Sequence, residues 1–304
     1  MNNFEKRLFL DYMSKLLNEL DIRSYSFGEL IDFFCDEFHI SKKIFKTDEY
    51  GELKINNPIE RQHFKKTFKE VIKNLQEKIP QKNTILEKQL LMLKDIFKLE
   101  EDEYGIITYC VVQEMNNVFK NLFDCINHDK FSQFAQTVLN IRYNRLSRIK
   151  DSLYLKNLIE SPRRGNVEVN PEILKIFDNP DCKSSNQIIK MLLGNSEKST
   201  LKLNDYKHIE NERVKVVNIL KSAVEQKRKG VNILLYGTVG AGKTEFAKLI
   251  ANTAKIPMYA VKCEKENFKE ADREYRLVDL YSKQDILSRT GRACILFDEG
   301  EDVM

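Results

Sequence analysis

Residues 237–244 read GTVGAGKT, a G-x-x-x-x-G-K-T arrangement whose residue types suit the holding of a polyphosphate. Gly237, Gly240 and Gly242 let the backbone take positive φ and come close to a ligand, so that successive amides can wrap a phosphate at the positive end of a helix dipole. Lys243 would reach the β- and γ-phosphates, and the Thr244 hydroxyl would complete a Mg2+ shell. The nucleotide contacts expected on this basis are Gly237, Thr238, Val239, Gly240, Ala241, Gly242, Lys243, Thr244 and Glu245. A second chemical group stands at the end of the chain, where four apolar residues, CILF, run into Asp298 and Glu299. Asp298 would hold Mg2+ through its water shell. Glu299, pointing to the other side of the strand end, would polarise an attacking water, with Lys243 stabilising the charge that develops.

These groups need particular elements around them. Ile233, Leu234, Leu235 and Tyr236 form an apolar run that predicts a strand leading into the loop, and Phe246, Leu249 and Ile250 predict a helix leading out of it. A further strand is predicted from Met258 to Cys263. An amphipathic helix follows, with Tyr275, Val278, Tyr281 and Leu287 on its apolar face. The run ACILFDE (293–299) suits a strand buried on both faces of a parallel sheet. The resulting order is β-α-β-α-β. Without its neighbours the loop is a glycine-rich turn and the acidic pair a common accident; at this spacing, with these flanks, each supports the other.

Residues 203–304 resemble the first part of an AAA+ ATPase module. The resemblance rests on LYGTVGAGKTEFAKLIA as a Walker A loop, on LFDE as a Walker B strand, and on the upstream LNDYKHIENERVKVVNILKSAVEQKRKGVNILLYG. It is most similar to bacterial AAA-type ATPases in which a G-V-N-I-L-L-Y-G strand is paired with an L-F-D-E-x-E-D-V segment. The resemblance implies ATP and Mg2+ as cofactors, ATP in preference to GTP, and Asp205 and Tyr206 beside the adenine. It also implies a helix over 210–229 ended by Gly230, and hydrolysis coupled, in a complete homo-oligomer, to remodelling of a macromolecule. Thr238 and Val239 depart from the family, which usually has prolines there; the change bears on loop stiffness and not on phosphate chemistry.

The same resemblance implies a strand between the loop strand and the acidic strand for which these residues provide no sequence. The expectation is therefore an incomplete parallel sheet, a fragment truncated after the Walker B strand, with weak ATP binding and little turnover.

The rest of the chain reads as helical. Apolar residues at three- and four-residue spacing run from Phe4 to about Ile159, with helices expected along Phe4, Leu8, Tyr12, Leu16 and Leu20, from Ser26, whose hydroxyl pairs with Glu29 in a capping box, and over 59–79, 84–99, 101–126, 129–140 and 145–159. The aromatic stripes at this spacing predict core and not a ligand cradle. The domains expected are a helical one over 1–180, a linker over 181–203 and the ATPase part over 204–304. Within 129–178 two helices and the alternating Val167 and Val169 admit two readings. One is a winged helix whose Arg142, Arg145, Arg148, Lys150, Lys156, Arg163 and Arg164 meet nucleic acid; the other is a solvated face on a helical domain. The alternative function is accordingly a nucleic-acid- or protein-binding helical module with an ATP-regulated or vestigial loop domain.

Composition narrows the remaining classes. A formal net charge of +4 is too small to imply a nucleic-acid partner by itself. No run of about eighteen apolar residues is present to span a bilayer, and no secretory leader is evident in MNNFEKRLFLDYMSKLL, so a cytoplasmic place is expected. The six cysteines have no C-x-x-C pair and no histidine at ligand spacing, which predicts buried free thiols and no nitrogen–sulfur metal site.

Overall fold

The computed structural model describes residues 1–304 except 21, 23–24, 46–56, 127–129, 161–166, 229, 265–269, 291 and 301–304. The chain divides into two compact units, Met1–Tyr154 with Leu158–Ser185, and Leu155–Asn157 with Asn186–Met304.

The first unit is built of helices α1 (Asn3–Leu16), α2 (Tyr25–Glu37), α3 (Pro58–Lys78), α4 (Ile85–Phe97), α5 (Glu101–Met115), α6 (Asn117–Asp124), α7 (Lys130–Thr137), α8 (Tyr143–Leu155) and α9 (Pro171–Phe177). Local chemistry starts several of them. Asn2 and Glu5 exchange side-chain-to-amide bonds at the start of α1, at 3.0 and 2.8 Å, and Asn57 and Glu60 do the same ahead of Pro58 in α3. The single helix expected over 101–126 is two, because Asn116 leaves helical geometry (φ −142°, ψ 110°) and its side chain accepts from the Val118 amide at 3.0 Å, capping α6. Helix α2 begins at Tyr25, and the Ser26 side chain, with the capping box expected there, lies outside the described residues.

The core of this unit is aromatic. Phe134 lies 4.2 Å from Tyr109 and 4.9 Å from Tyr12 between ring centroids, and Phe34 lies 4.9 Å from Phe68. Each such pair adds about 0.5–1.5 kcal/mol to the transfer of its rings from water. The buried Gln89 amide donates to the carbonyls of Ile176, Asn179 and Cys182 at 2.9–3.2 Å, fastening α4 to the end of α9 and the loop after it. After α8 an antiparallel bridge pairs Ile159 with Val169, flanked by bonds from Glu160 N to Glu168 O and from Asn170 N to Leu158 O. The basic bias of 129–178 is partly consumed: Arg145 pairs with Glu100 and Asp102 at 3.0 Å each, and the Lys150 ammonium lies 4.6 Å from the Phe131 ring centroid. Arg163 and Arg164 lie outside the described residues.

The stretch read as linker, 181–203, carries helix α10 (Ser185–Leu193). The second unit continues with a 3-10 segment (Leu203–Ile209), α11 (Glu210–Glu225), α12 (Lys243–Ala254), β1 (Met258–Ala260), α13 (Arg273–Thr290) and β2 (Cys294–Leu296). Helix α11 ends four residues short of the range the resemblance implies. Lys227 takes a left-handed φ of 52° and the Arg228 amide returns to the Ala223 carbonyl at 2.8 Å, which closes the helix ahead of Gly230. Phe246, Leu249 and Ile250 of α12 bury against Val217 of α11 and Tyr206.

The sheet holds two parallel strands among the described residues, with Met258, Tyr259 and Ala260 opposite Cys294, Ile295 and Leu296. This corrects two expectations. Ile233–Tyr236 forms no strand: Leu235 packs on the α11–α12 cluster, while Leu234, Tyr236 and Val239 are 69%, 90% and 99% exposed. A strand requires a neighbour to take its amides and carbonyls, and no described strand pairs with this segment. For the same reason β2, expected to be buried on both faces, is only half-buried, having β1 as its one neighbour among the described residues. Segment 196–197 runs along β1, with Glu197 N donating to Met258 O and Met258 N to the Ser196 hydroxyl.

The cysteines are free. Cys35, Cys110, Cys125 and Cys182 are buried, whereas Cys263 is exposed and Cys294 half-buried. No helix among the described residues is long and apolar enough to cross a membrane.

Candidate functional site

The loop 237–242 leads directly into α12, whose first residues are Lys243 and Thr244, so the free amides of a helix N-terminus open onto the glycine-rich turn. Gly240 and Gly242 both have φ of +78°, a conformation costly for a residue with a Cβ. At Gly242 a Cβ would also stand 3.0 Å from the Tyr206 hydroxyl. The Lys243 ammonium arches back over its own loop and donates to the carbonyls of Gly237 and Thr238, 3.0 Å each. Three donors on a flexible stem let it exchange those carbonyls for phosphate oxygens without moving the helix.

The central contact of the site joins residues 54 positions apart: the Thr244 hydroxyl donates to Asp298 Oδ2 at 2.7 Å. The helix start and the strand end thereby bring a hydroxyl and a carboxylate to one point. Two hard oxygen groups at the mouth of an amide-lined loop fit a small divalent cation such as Mg2+, which takes one or two protein oxygens and fills its shell with water and phosphate. Glu299 follows with a left-handed φ of 50°, its amide donating to Asp298 Oδ1 at 3.1 Å and its side chain exposed.

The remaining residues named from the sequence take other partners. Tyr206 is buried, its ring 5.1 Å from Phe246 and its hydroxyl donating to the Gly242 carbonyl at 2.9 Å. Burial, with Glu245 and Asp205 adding, raises its phenol above the ordinary value and keeps it a donor. Asp205 is exposed and caps the 3-10 segment by accepting from the Lys202 amide at 2.7 Å. Glu245 turns its carboxylate to the Ser199 hydroxyl (2.9 Å) and the Thr200 amide (3.2 Å), with the Lys248 ammonium 3.4 Å away. The bond from Ser199, then that from Thr200, holds its carboxyl below the ordinary range. Thr238, Val239 and Ala241 are exposed along the loop, which a turn from Ala241 N to Thr238 O closes.

One residue beside the acidic pair escaped the sequence reading. Arg276 on α13 is buried, donates to the carbonyls of Asp298 and Glu299, and holds its guanidinium 4.4 Å from the Phe297 ring centroid. Asp279, Ser282 and Lys283 are buried with it, while Tyr281, expected on the apolar face, is exposed. The signal was present in the polar spacing 276, 279, 283, which falls on one helical face; charged residues are normally assigned to solvent, and here Arg276 and Asp279 bind backbone at the strand ends while Lys283 pairs with Asp279.

Neither the curated proteins nor the solved structures contain a match to this chain. Residues 233–303, which carry the loop, both strands and the acidic pair, match the family model described as the ATPase family associated with various cellular activities (AAA), a match that supports an AAA+ ATPase family for this stretch.

Proposed function

We propose that this chain binds ATP with Mg2+ at 237–244 and that its site is organised for hydrolysis of the terminal phosphoryl group. The observation that carries the reading is the 2.7 Å contact between Thr244 and Asp298, the two side chains that would hold the cation. The amides from Gly240 to Thr244 would cradle phosphate oxygens, and the Lys243 ammonium would shift from the Gly237 and Thr238 carbonyls to the β- and γ-phosphates. Thr244 and Asp298 would hold magnesium, whose positive charge would offset the negative charge on the phosphoryl group. Glu299 is the base: its carboxylate would accept a proton from the water that attacks the γ-phosphorus. Tyr206 supports the loop through the Gly242 carbonyl, and an adenine beside Tyr206 and Asp205 rests on the family resemblance alone.

Binding should be weak and turnover small. The loop and its leading segment are exposed and outside the sheet, so a ligand must order them as it binds. Work on a macromolecular partner within a homo-oligomer is the further reach of the same reading, supported by the family match. Calorimetric titration of the whole chain with Mg·ATP tests it: heat of binding that Lys243→Ala abolishes is the expected result, and no binding overturns it. A steady-state hydrolysis rate well above background, abolished by Glu299→Gln, would keep the site and overturn the expectation of small turnover.

The duplex-binding reading of 129–178 stands second. It gains the order of α7, turn, α8 and bridge, and loses charge to the Arg145 and Lys150 contacts. A salt-dependent shift of duplex DNA mobility by the whole chain would favour it, and no shift at low salt would remove it.

A further inference from the structure

A guanidinium resists burial unless most of its donors find acceptors, and Arg276, 3% exposed, turns both terminal nitrogens to carbonyls. Its fork reaches the carbonyls of two consecutive residues, Asp298 and, at 3.2 Å, Glu299, while its plane lies against the ring of the residue before them, Phe297. Three successive residues at the end of β2 are thus held by one side chain. One of them, Glu299, has a left-handed backbone that residues other than glycine seldom adopt and that persists where surrounding contacts over-determine it. One turn further along α13, Asp279 accepts from the Lys262 amide at 3.0 Å, just beyond β1. A single helical face therefore grips the carboxyl ends of both strands, the edge at which open α/β sheets bind their ligands.

We infer that Arg276 is a positioning residue for the cation-binding carboxylate. By fixing the carbonyls of Asp298 and Glu299 it sets the turn that directs the Asp298 side chain onto Thr244, and so governs how strongly Mg2+ assists nucleotide binding. The inference rests on the nucleotide reading above. Lysine cannot replace this residue, because an ammonium neither spans two adjacent carbonyls as a planar fork nor stacks on Phe297 in the same way.

The test uses the 304-residue chain and ATP, titrated calorimetrically in Mg2+ and in EDTA. In the parent chain Mg2+ tightens binding; in Arg276→Met and Arg276→Lys that gain falls by about tenfold, while affinity in EDTA stays within about twofold. In an Asp298→Asn background, Arg276→Met removes nothing further, as expected of residues acting in series. Hydrogen exchange of the ligand-free chain supplies a second readout: the Glu299 amide exchanges faster in Arg276→Met, and α12 keeps its protection. An undiminished Mg2+ gain in both variants overturns the inference, and so does failure of both to fold, which would make Arg276 a stabilising residue only. If the parent chain binds no ATP, the nucleotide reading falls and takes this inference with it; if the parent binds and the variants match it, only this inference falls.

Discussion

The core of the helical unit is dominated by packed rings, whereas the second unit buries a cluster of charged side chains on one helix. Phe9, Phe34, Phe68, Phe119, Phe123 and Phe134 are among the largest fully buried side chains of the chain, and every one belongs to the first unit. In the second, Arg276, Asp279 and Lys283 are buried while Leu234, Tyr236 and Val239 face solvent. The first arrangement is what non-directional transfer from water produces. The second runs against that tendency, and polar contacts offset its cost: Lys283 meets Asp279 at 2.5 Å, Asp279 meets the Lys262 amide, and Arg276 meets two carbonyls. Stability in one unit therefore resides in shape and area, and in the other in directional contacts that also arrange the site.

Substitutions can break or sharpen this contrast. Phe134→Ala should have the largest effect, about 3–5 kcal/mol in urea unfolding followed by tyrosine fluorescence, because it empties the middle of the aromatic pile. A loss under about 1 kcal/mol would show that the pile re-closes and that its packing is less specific than its geometry.

Lys283→Met leaves Asp279 charged and buried, with an expected loss of about 3 kcal/mol; pairing it with Asp279→Leu should recover much of that. If the double variant is no better than the single one, the bond to the Lys262 amide matters more than the charge pair.

Tyr206→Phe keeps the ring against Phe246 and removes the donor to Gly242, for an expected loss of about 1 kcal/mol and a modest fall in ATP affinity. The effect stays small because the Gly242 carbonyl also accepts from the Phe246 amide.

The smallest effect is a pH dependence at Glu245. Its folded pKa lies below the ordinary value of 4.5, so its contribution is complete above that value and is lost as pH falls through the lower folded pKa. Melting curves of the parent and Glu245→Gln should differ at pH 7 and converge below pH 4.5; a constant gap would assign the difference to something other than this carboxylate.

Much of the helical unit was legible in the pattern of apolar residues, since period and caps are local properties: α3 begins where Asn57, Pro58 and Glu60 say it must. A local group also divides the helix expected over 101–126, since Asn116 leaves helical geometry and caps α6. The site was legible in part for a related reason. A glycine-rich turn followed by Lys-Thr places its backbone amides by local geometry, so spacing alone suggests the proposed phosphate loop. The burial of Arg276 did not follow from spacing, because a charge at helical period reads as a solvated face until its partners are in place.

Residue order alone thus gave most of the helical segments and the eight positions, 237–244, proposed to wrap a phosphate. Only the three-dimensional arrangement decided that Thr244 meets Asp298, that Glu245 serves the 199–200 segment, and that Ile233–Tyr236 lies outside the sheet. The reason is that propensity and period act between residues close in sequence, whereas strand pairing and the partnering of buried charge depend on groups far apart that only packing brings together.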